Sequence, residues 1–265
     1  MKLTFLGTGT SFGVPQLGCG CEVCRSPDPR DKRTRVGALV ETSGGTRILI
    51  DTPPELRLQL IAAGVDRVDA VLFTHDHADH THGIDDLRAI TVRRAAPLAM
   101  YGSAETIASL GRKFTYIFDD RMRPLPGTSK PEGHAHVIEP NQTFTIGDVD
   151  ATAVPVPHGA VTVFGYRIGP LAYVTDAKTI PPEALEQLRG AQVLVINALF
   201  RTAHPTHLSI PEALRVAAAI GADRTYLTHL THDNFHADLE AELPRGIAPA
   251  FDGLTVRIDE DARTA

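Results

Sequence analysis

The chain has 265 residues, with 26 Lys and Arg against 32 Asp and Glu, a formal charge of -6 and a pI near 6.0. That balance excludes a general basic surface as the basis of nucleic-acid binding. With 43% apolar residues there is ample core for folding without disulfides. Residues 1–6 turn polar and Gly-rich at Gly7, with no signal-peptide h-region, and no run approaches the roughly 20 apolar residues of a membrane helix, so a cytoplasmic protein is expected.

In chain order, residues 2–6 read as a strand closed by the turn Gly7-Thr8-Gly9-Thr10-Ser11. A long loop follows to about residue 35. Strands over 38–41 and 47–50 form a hairpin around Ser43-Gly44-Gly45 and end at Asp51. Residues 54–63 have helical spacing, with Pro near the start and Gly64 past the end. Ala70-Val71-Leu72-Phe73 is a short buried strand, 98–101 another, and 103–113 a helix with Ser103 as cap. Residues 119–132 are rich in Pro, Gly and charge and read as an excursion. The second half repeats the grammar, with strands at 143–146, 149–155, 163–168 and 171–174, a helix at 182–188 and a strand at 193–197. Ser209-Ile210-Pro211-Glu212 is a capping box opening a helix to about residue 220, before strands at 224–227 and 254–258. Two such halves suggest an α/β/β/α sandwich, two packed sheets with helices outside.

The densest chemistry lies in Thr74-His75-Asp76-His77-Ala78-Asp79-His80, directly after an apolar strand. Neutral imidazoles and carboxylates in one loop suit zinc, iron, nickel and similar ions. Side chains at i and i+2 share a side, so His75, His77 and Asp79 can converge while His80 faces a second point. His158, Asp176 and His229 each end an apolar strand in the same way. The three cysteines, Cys19, Cys21 and Cys24, are odd in number and crowded into six residues; disulfide scaffolds do not look like that, and thiolates so clustered read as metal ligands.

The pattern H-x-H-x-D-H followed by His158, Asp176 and His229 resembles the metallo-β-lactamase superfamily over nearly the whole chain. The resemblance implies a single four-layer domain over 1–265, with His75, His77 and His158 on one metal, Asp79, His80 and His229 on a second, and Asp176 bridging. Two such metals supply a bridging hydroxide and stabilise charge on attacking and leaving oxygens, which suits phosphodiester cleavage. Asp176 stands where many lactamases have cysteine, which disfavours antibiotic hydrolysis. Gly7-Thr8-Gly9, the Cys19-x-Cys21-x-x-Cys24 run and Thr228-His229-Leu230-Thr231-His232 narrow the likeness to the PhnP-like phosphodiesterase group, which acts on a cyclic ribose phosphate. There a structural zinc is held by three cysteines and a late histidine, here His232; His236 as fourth ligand, or cysteines that are unmetallated or redox-active, are the alternatives.

The resemblance also assigns His207, in His204-Pro205-Thr206-His207, as general acid for the leaving alkoxide, with His204 competing. Asp51 is expected to orient a ligand histidine or to be a plain turn aspartate. Arg88 is expected either to grip a substrate phosphate or to form a surface salt bridge. His82 follows the motif with no vacancy left for it, and His134 and His136 show no ligand pattern. The expected function is a phosphodiesterase with two catalytic ions (Zn, Mn, Fe or Ni) and one structural Zn. Its expected partners are a small, cyclic or linear phosphodiester and, as an open alternative, a second copy in a homodimer, with nucleic acid and membrane disfavoured. A tRNase Z-like nuclease, or a PqqB-like binding or oxidative protein, are the competing readings. Residues 114–118 and 119–132 depart from the resembled family's sequence and are candidates for lining the pocket.

Overall fold

A computed structural model of the chain describes residues 1–260. Seven strands form a first sheet: β1 (Lys2–Gly7), β2 (Gly37–Glu41), β3 (Arg47–Ile50), β4 (Ala70–Leu72), β5 (Leu98–Gly102), β6 (Gly133–Val137) and, from the other end of the chain, β14 (Thr255–Arg257). Its order is β14-β1-β2-β3-β4-β5-β6. The second sheet holds β7 (Thr143–Ile146), β8 (Val149–His158), β9 (Val161–Ile168), β10 (Leu171–Val174), β11 (Val193–Asn197), β12 (Arg224–Thr228) and β13 (Ile247–Pro249), in the order β13-β12-β11-β10-β9-β8-β7.

Strand alternation sorts the apolar side chains into layers. Ile48 and Ile50 of β3 face the other sheet, meeting a core that includes Tyr166, Tyr173 and Val195. Leu49 between them faces outward, where Leu56 and Leu60 of α2 (Leu56–Ala62) and Leu110 of α5 (Ala104–Lys113) cover it. On the opposite side Val174, Leu194 and Ile196 pack under α7 (Pro182–Leu188) and α8 (Ile210–Ile220). Sheets buried on both faces need continuous apolar runs, and β4 and β11 supply them. The expected four-layer α/β/β/α sandwich is therefore what forms.

The prolines at 155 and 157 sit inside β8, yet β7 pairs only with Val149–Thr152. Beyond that point one side of β8 faces no strand, so missing N–H groups cost no ladder bond. This lets β8 run three residues past its expected end to deliver His158. Several further elements were not foreseen. Two short helices, α3 (Ala78–Thr81) and α4 (Arg88–Arg94), follow the histidine run, and α1 (Glu22–Arg25) and α6 (Thr115–Phe118) punctuate loops. Near the end, α9 (His236–Glu242) precedes β13. The strand β6 was hidden because its exposed edge carries His134 and His136 rather than an apolar face. Among the described residues, no helix is long and apolar enough to cross a membrane.

Strands β3, β4 and β5 run parallel, as do β10, β11 and β12. Their carboxyl ends, with that of β8, lie at one end of the sandwich, the usual place for a site in α/β sheets. The two sheets are tied there by the Tyr166 hydroxyl on the Phe73 carbonyl at 2.6 Å and by the Phe164 amide on the Thr74 carbonyl at 2.9 Å.

Candidate metal centre

Each strand end contributes a ligand. His75 follows β4, His158 closes β8, Asp176 follows β10 and His229 follows β12, while His77, Asp79 and His80 come from the loop entering α3. Ligand atoms of His75, His77 and His158 lie within 4.8 Å of one another, as do those of Asp79, His80 and His229, and those of His75, His80 and Asp176. Asp176 stands between the groups: its Oδ2 is 3.3 Å from His80 Nε2 and its Oδ1 is 3.3 Å from His229 Nε2. The chain turns sharply to bring these side chains inward. Asp51, Asp176 and His229 all adopt left-handed backbone, φ 62, 58 and 57°, a conformation that costs energy for non-glycine residues and gathers at functional sites.

The donor set fits divalent ions. Nε2 of His75, His80 and His229 is buried with no hydrogen-bond partner, an expensive arrangement for a polar atom unless a cation takes the lone pair. Burial, and then the neighbouring His80, hold His75 neutral far below the usual imidazole range, and burial likewise lowers His158; a neutral ring is the form that ligates. Burial alone would raise the Asp176 carboxyl, but the His229 and His80 imidazoles beside it hold it well below the carboxylate range. Burial also works against charge on His80, where the Asp176 and Asp51 carboxylates win and push it up to about 10.

The outer nitrogens are anchored. Asp51 Oδ2 lies 2.7 Å from His80 Nδ1 and is itself fixed by the Thr74 amide and hydroxyl, each at 2.8 Å. His158 Nδ1 donates to the Thr206 carbonyl at 3.0 Å. Such partners set the tautomer that leaves Nε2 free. Asn197, which sequence reasoning missed, braces the Asp176 turn by accepting from the Ala177 amide at 2.9 Å and donating to the Ala177 carbonyl at 3.1 Å. Its signal was available, since it ends an apolar strand just as Asp51 does.

His207 joins this group, its Nε2 3.0 Å from Asp176 Oδ1, with His204 behind it at 3.4 Å between Nδ1 atoms. Arg88 is not brought in: its guanidinium pairs with Asp85 at 2.8 Å and with the Ser129 carbonyl. His82 turns to Thr81 at 3.2 Å and the Phe114 ring, and His136 stacks on Tyr101. A cleft of about 490 Å³ opens beside His75, walled by Ser103, Glu105, Glu139, Val161 and Phe164. Residues 114–132 do not line it.

The second cluster lies in the N-terminal loop. Sγ atoms of Cys19, Cys21 and Cys24 are 3.3, 3.4 and 3.4 Å from His232 Nδ1, and no disulfide joins the thiols. Cys21 caps α1 and accepts from the Cys24 amide at 3.4 Å; that bond heads the causes that lower its thiol to about 6. Three thiolates and one imidazole make a closed tetrahedral set for zinc. His236 is elsewhere, its Nδ1 3.3 Å from Arg33 and its amide 2.6 Å from Asp31. The two clusters share one segment, on which the Leu230 amide, between His229 and His232, donates to the Thr8 carbonyl at 2.9 Å.

A family model described as the beta-lactamase superfamily domain matches residues 46–230. The chain belongs to the beta-lactamase superfamily. Within it, a solved diphosphatase of the PhnP family is 36% identical with a TM-score of 0.89, covering 97% of this chain and 98% of that one, which places the chain in the PhnP family. A protein of Porphyromonas gingivalis called octanoyltransferase is 42% identical over 265 residues, 98% of this chain but 52% of its own length; the chain spans about half of that relative. A ribonuclease Z of Bradyrhizobium is 27% identical over 96% of this chain and 99% of its own. The PhnP-family chain described here is a metal-dependent hydrolase of the metallo-β-lactamase fold.

Proposed function

We propose that this hydrolase is a dinuclear metal phosphodiesterase acting on a small phosphate ester, cyclic or linear. The observation that carries the reading is Asp176, one carboxylate within 3.3 Å of His80 and His229 that also meets His207 at 3.0 Å. His75, His77 and His158 would hold one ion, Asp79, His80 and His229 the other, with Asp176 shared. A bound divalent pair supplies Lewis acidity, acidifying water and neutralising charge on phosphoryl oxygens.

The side chains do the rest. Asp51 and the Thr206 carbonyl orient His80 and His158, so the ligands need no rearrangement. His207, half-buried beside Asp176, holds a proton on Nε2 for the leaving alkoxide. His204 is one step removed, behind His207. The cleft wall supports a small substrate over a nucleic acid, because Glu105 and Glu139 line it and no Lys or Arg does; an extended polyanion needs the reverse. The acyl-transfer name of the longer relative, of which this chain spans 52%, is carried no further.

The test is to quantify metals in purified protein and to assay the loaded form against cyclic and linear phosphodiesters, a precursor tRNA and an octanoyl thioester. Turnover of small phosphodiesters is expected, and His207→Ala should lower kcat by about 10²- to 10⁴-fold with metal content kept. Cleavage of the RNA or thioester in place of every small diester would overturn the reading. Parental turnover in His207→Ala would remove that residue as the acid.

A further inference from the structure

Thr206, in the loop between β11 and α8, touches three parts of the site at once. Its carbonyl accepts from His158 Nδ1 at 3.0 Å. Its hydroxyl lies 2.9 Å from His207 Nδ1 and 3.2 Å from His204 Nδ1. Its methyl lies against the β8–β9 turn: a Cβ on Gly159 would come 3.0 Å from Thr206 Cγ2, at a backbone φ of +59°.

The hydrogens in this network are assigned by their partners. The Thr206 amide donates to His204 Nδ1 at 3.4 Å, so that nitrogen is an acceptor and His204 carries its hydrogen on Nε2. His207 Nε2 faces the Asp176 carboxylate at 3.0 Å, an acceptor, so in the neutral ring Nε2 carries the hydrogen and Nδ1 is bare. A bare Nδ1 needs a donor, and the Thr206 hydroxyl is the group within reach.

We propose that Thr206 is a positioning residue that fixes two histidines in opposite senses. Its carbonyl takes the His158 Nδ1 hydrogen and leaves Nε2 bare, the form a metal needs. Its hydroxyl gives a hydrogen to His207 Nδ1 and keeps Nε2 protonated, the form a leaving group needs. One residue thereby sets ligand and acid in register, and the close approach of Gly159 keeps the hairpin bearing His158 at the right distance. The inference rests on the proposed roles of His158 and His207.

Three variants separate the two functions. Thr206→Val keeps the carbonyl and the methyl packing but loses the hydroxyl; kcat should fall about 10- to 100-fold, with KM and metal content unchanged. In the zinc-loaded protein its His207 ring ¹⁵N signals, identified by their loss in His207→Ala, should move from the Nε2–H pattern toward Nδ1–H. Thr206→Ser, which keeps the hydroxyl and loses only the methyl, should restore the ring signals and most of the rate. Gly159→Ala pushes the hairpin off Thr206 and should weaken zinc binding about 10- to 100-fold in a chelator competition, leaving the His207 signals in place. Parental kcat and parental ring signals in Thr206→Val would overturn the proposal, as would loss of metal together with rate. A loaded parent that hydrolyses no phosphodiester defeats the functional reading alone, since the ring signals and the zinc competition still decide on Thr206.

Discussion

The strand-end cluster and the cysteine cluster are two answers to one problem, how to hold a metal. The first draws His75, His158, Asp176 and His229 from the ends of strands in both sheets, in backbone that is strained at Asp176 and His229. The sandwich already exists there, so ions bound at these strand ends would meet a rigid support. The second draws three thiols from six residues of loop and one imidazole from the far end of the chain. Helices of 4 and 3 residues are the regular structure of that loop, so a bound ion would add order there. A catalytic centre gains from rigid supports, whereas a structural zinc would add order where regular structure is sparse. The two are joined through the segment that carries both His229 and His232.

Removing Asp176 tests whether the first cluster is as separable as this contrast requires. Asp176→Ala is expected to lower turnover by about 10³-fold or more, because it removes a charged group shared by both ligand sets. Catalytic metal content should fall while the zinc at Cys19, Cys21, Cys24 and His232 stays, measured as metal per chain before and after mild chelation. Loss of all metal together would show that the two clusters do not stand apart. The next largest effect is expected from Cys21→Ser, which should lose one zinc per chain. Its thermal midpoint should fall by several degrees, at about 2–4 °C per kcal/mol for a chain of this size. Turnover should fall less than in Asp176→Ala, since the strand ends survive. Unchanged zinc content in Cys21→Ser would remove the structural site.

The same contrast explains what could be read from the residues. The sandwich was legible because β4, β10 and β11 are short, continuous apolar runs that stop at polar residues, and the candidate ligands His75 and Asp176 follow two of those stops. Asn197 ends such a run too, but an amide suggested no metal chemistry and so its bracing of the Asp176 turn went unseen. The cysteine spacing pointed to a closed site, but the choice between His232 and His236 depended on which way two loop histidines face, and only the fold decides that. The strand β6 escaped because its outward residues are His134 and His136, and α9 because His236, at its start, is buried by contacts with Asp31 and Arg33 over 200 positions away. Arg88 had two readings from the start, and the structure shows its pairing with Asp85.

Orientation of the ligands gives a smaller, sharper test. Asp51 accepts from Thr74 twice and holds His80 at 2.7 Å, all in complete burial. Asp51→Asn keeps the volume but presents an amide that can no longer anchor the imidazole with a charge. Affinity for the metal at Asp79, His80 and His229 should drop about 10- to 100-fold, read by competition with a chelator. The Cys19, Cys21, Cys24 and His232 site should keep its affinity. Equal weakening at both sites would mean that Asp51 acts on the fold as a whole rather than on His80.

The smallest effect concerns the support of the cysteine loop, where His236 is 1% exposed. Burial first, and then the Arg33 and Arg30 guanidiniums, hold its imidazole below the usual value. An unfolded chain takes up a proton near pH 6.5, and the folded chain resists it. The stability contributed here is thus present above about pH 6.5 and is lost as the pH falls below it, because the unfolded state then binds more protons. Acid also releases zinc from thiolates, so the comparison belongs in the Cys21→Ser background. There, His236→Gln keeps an acceptor for Arg33 but cannot titrate. Its thermal midpoint should fall less than that of the background protein between about pH 7.5 and 5.5, the interval spanning the unfolded value. Identical falls would show that the loop is held without regard to the charge of His236.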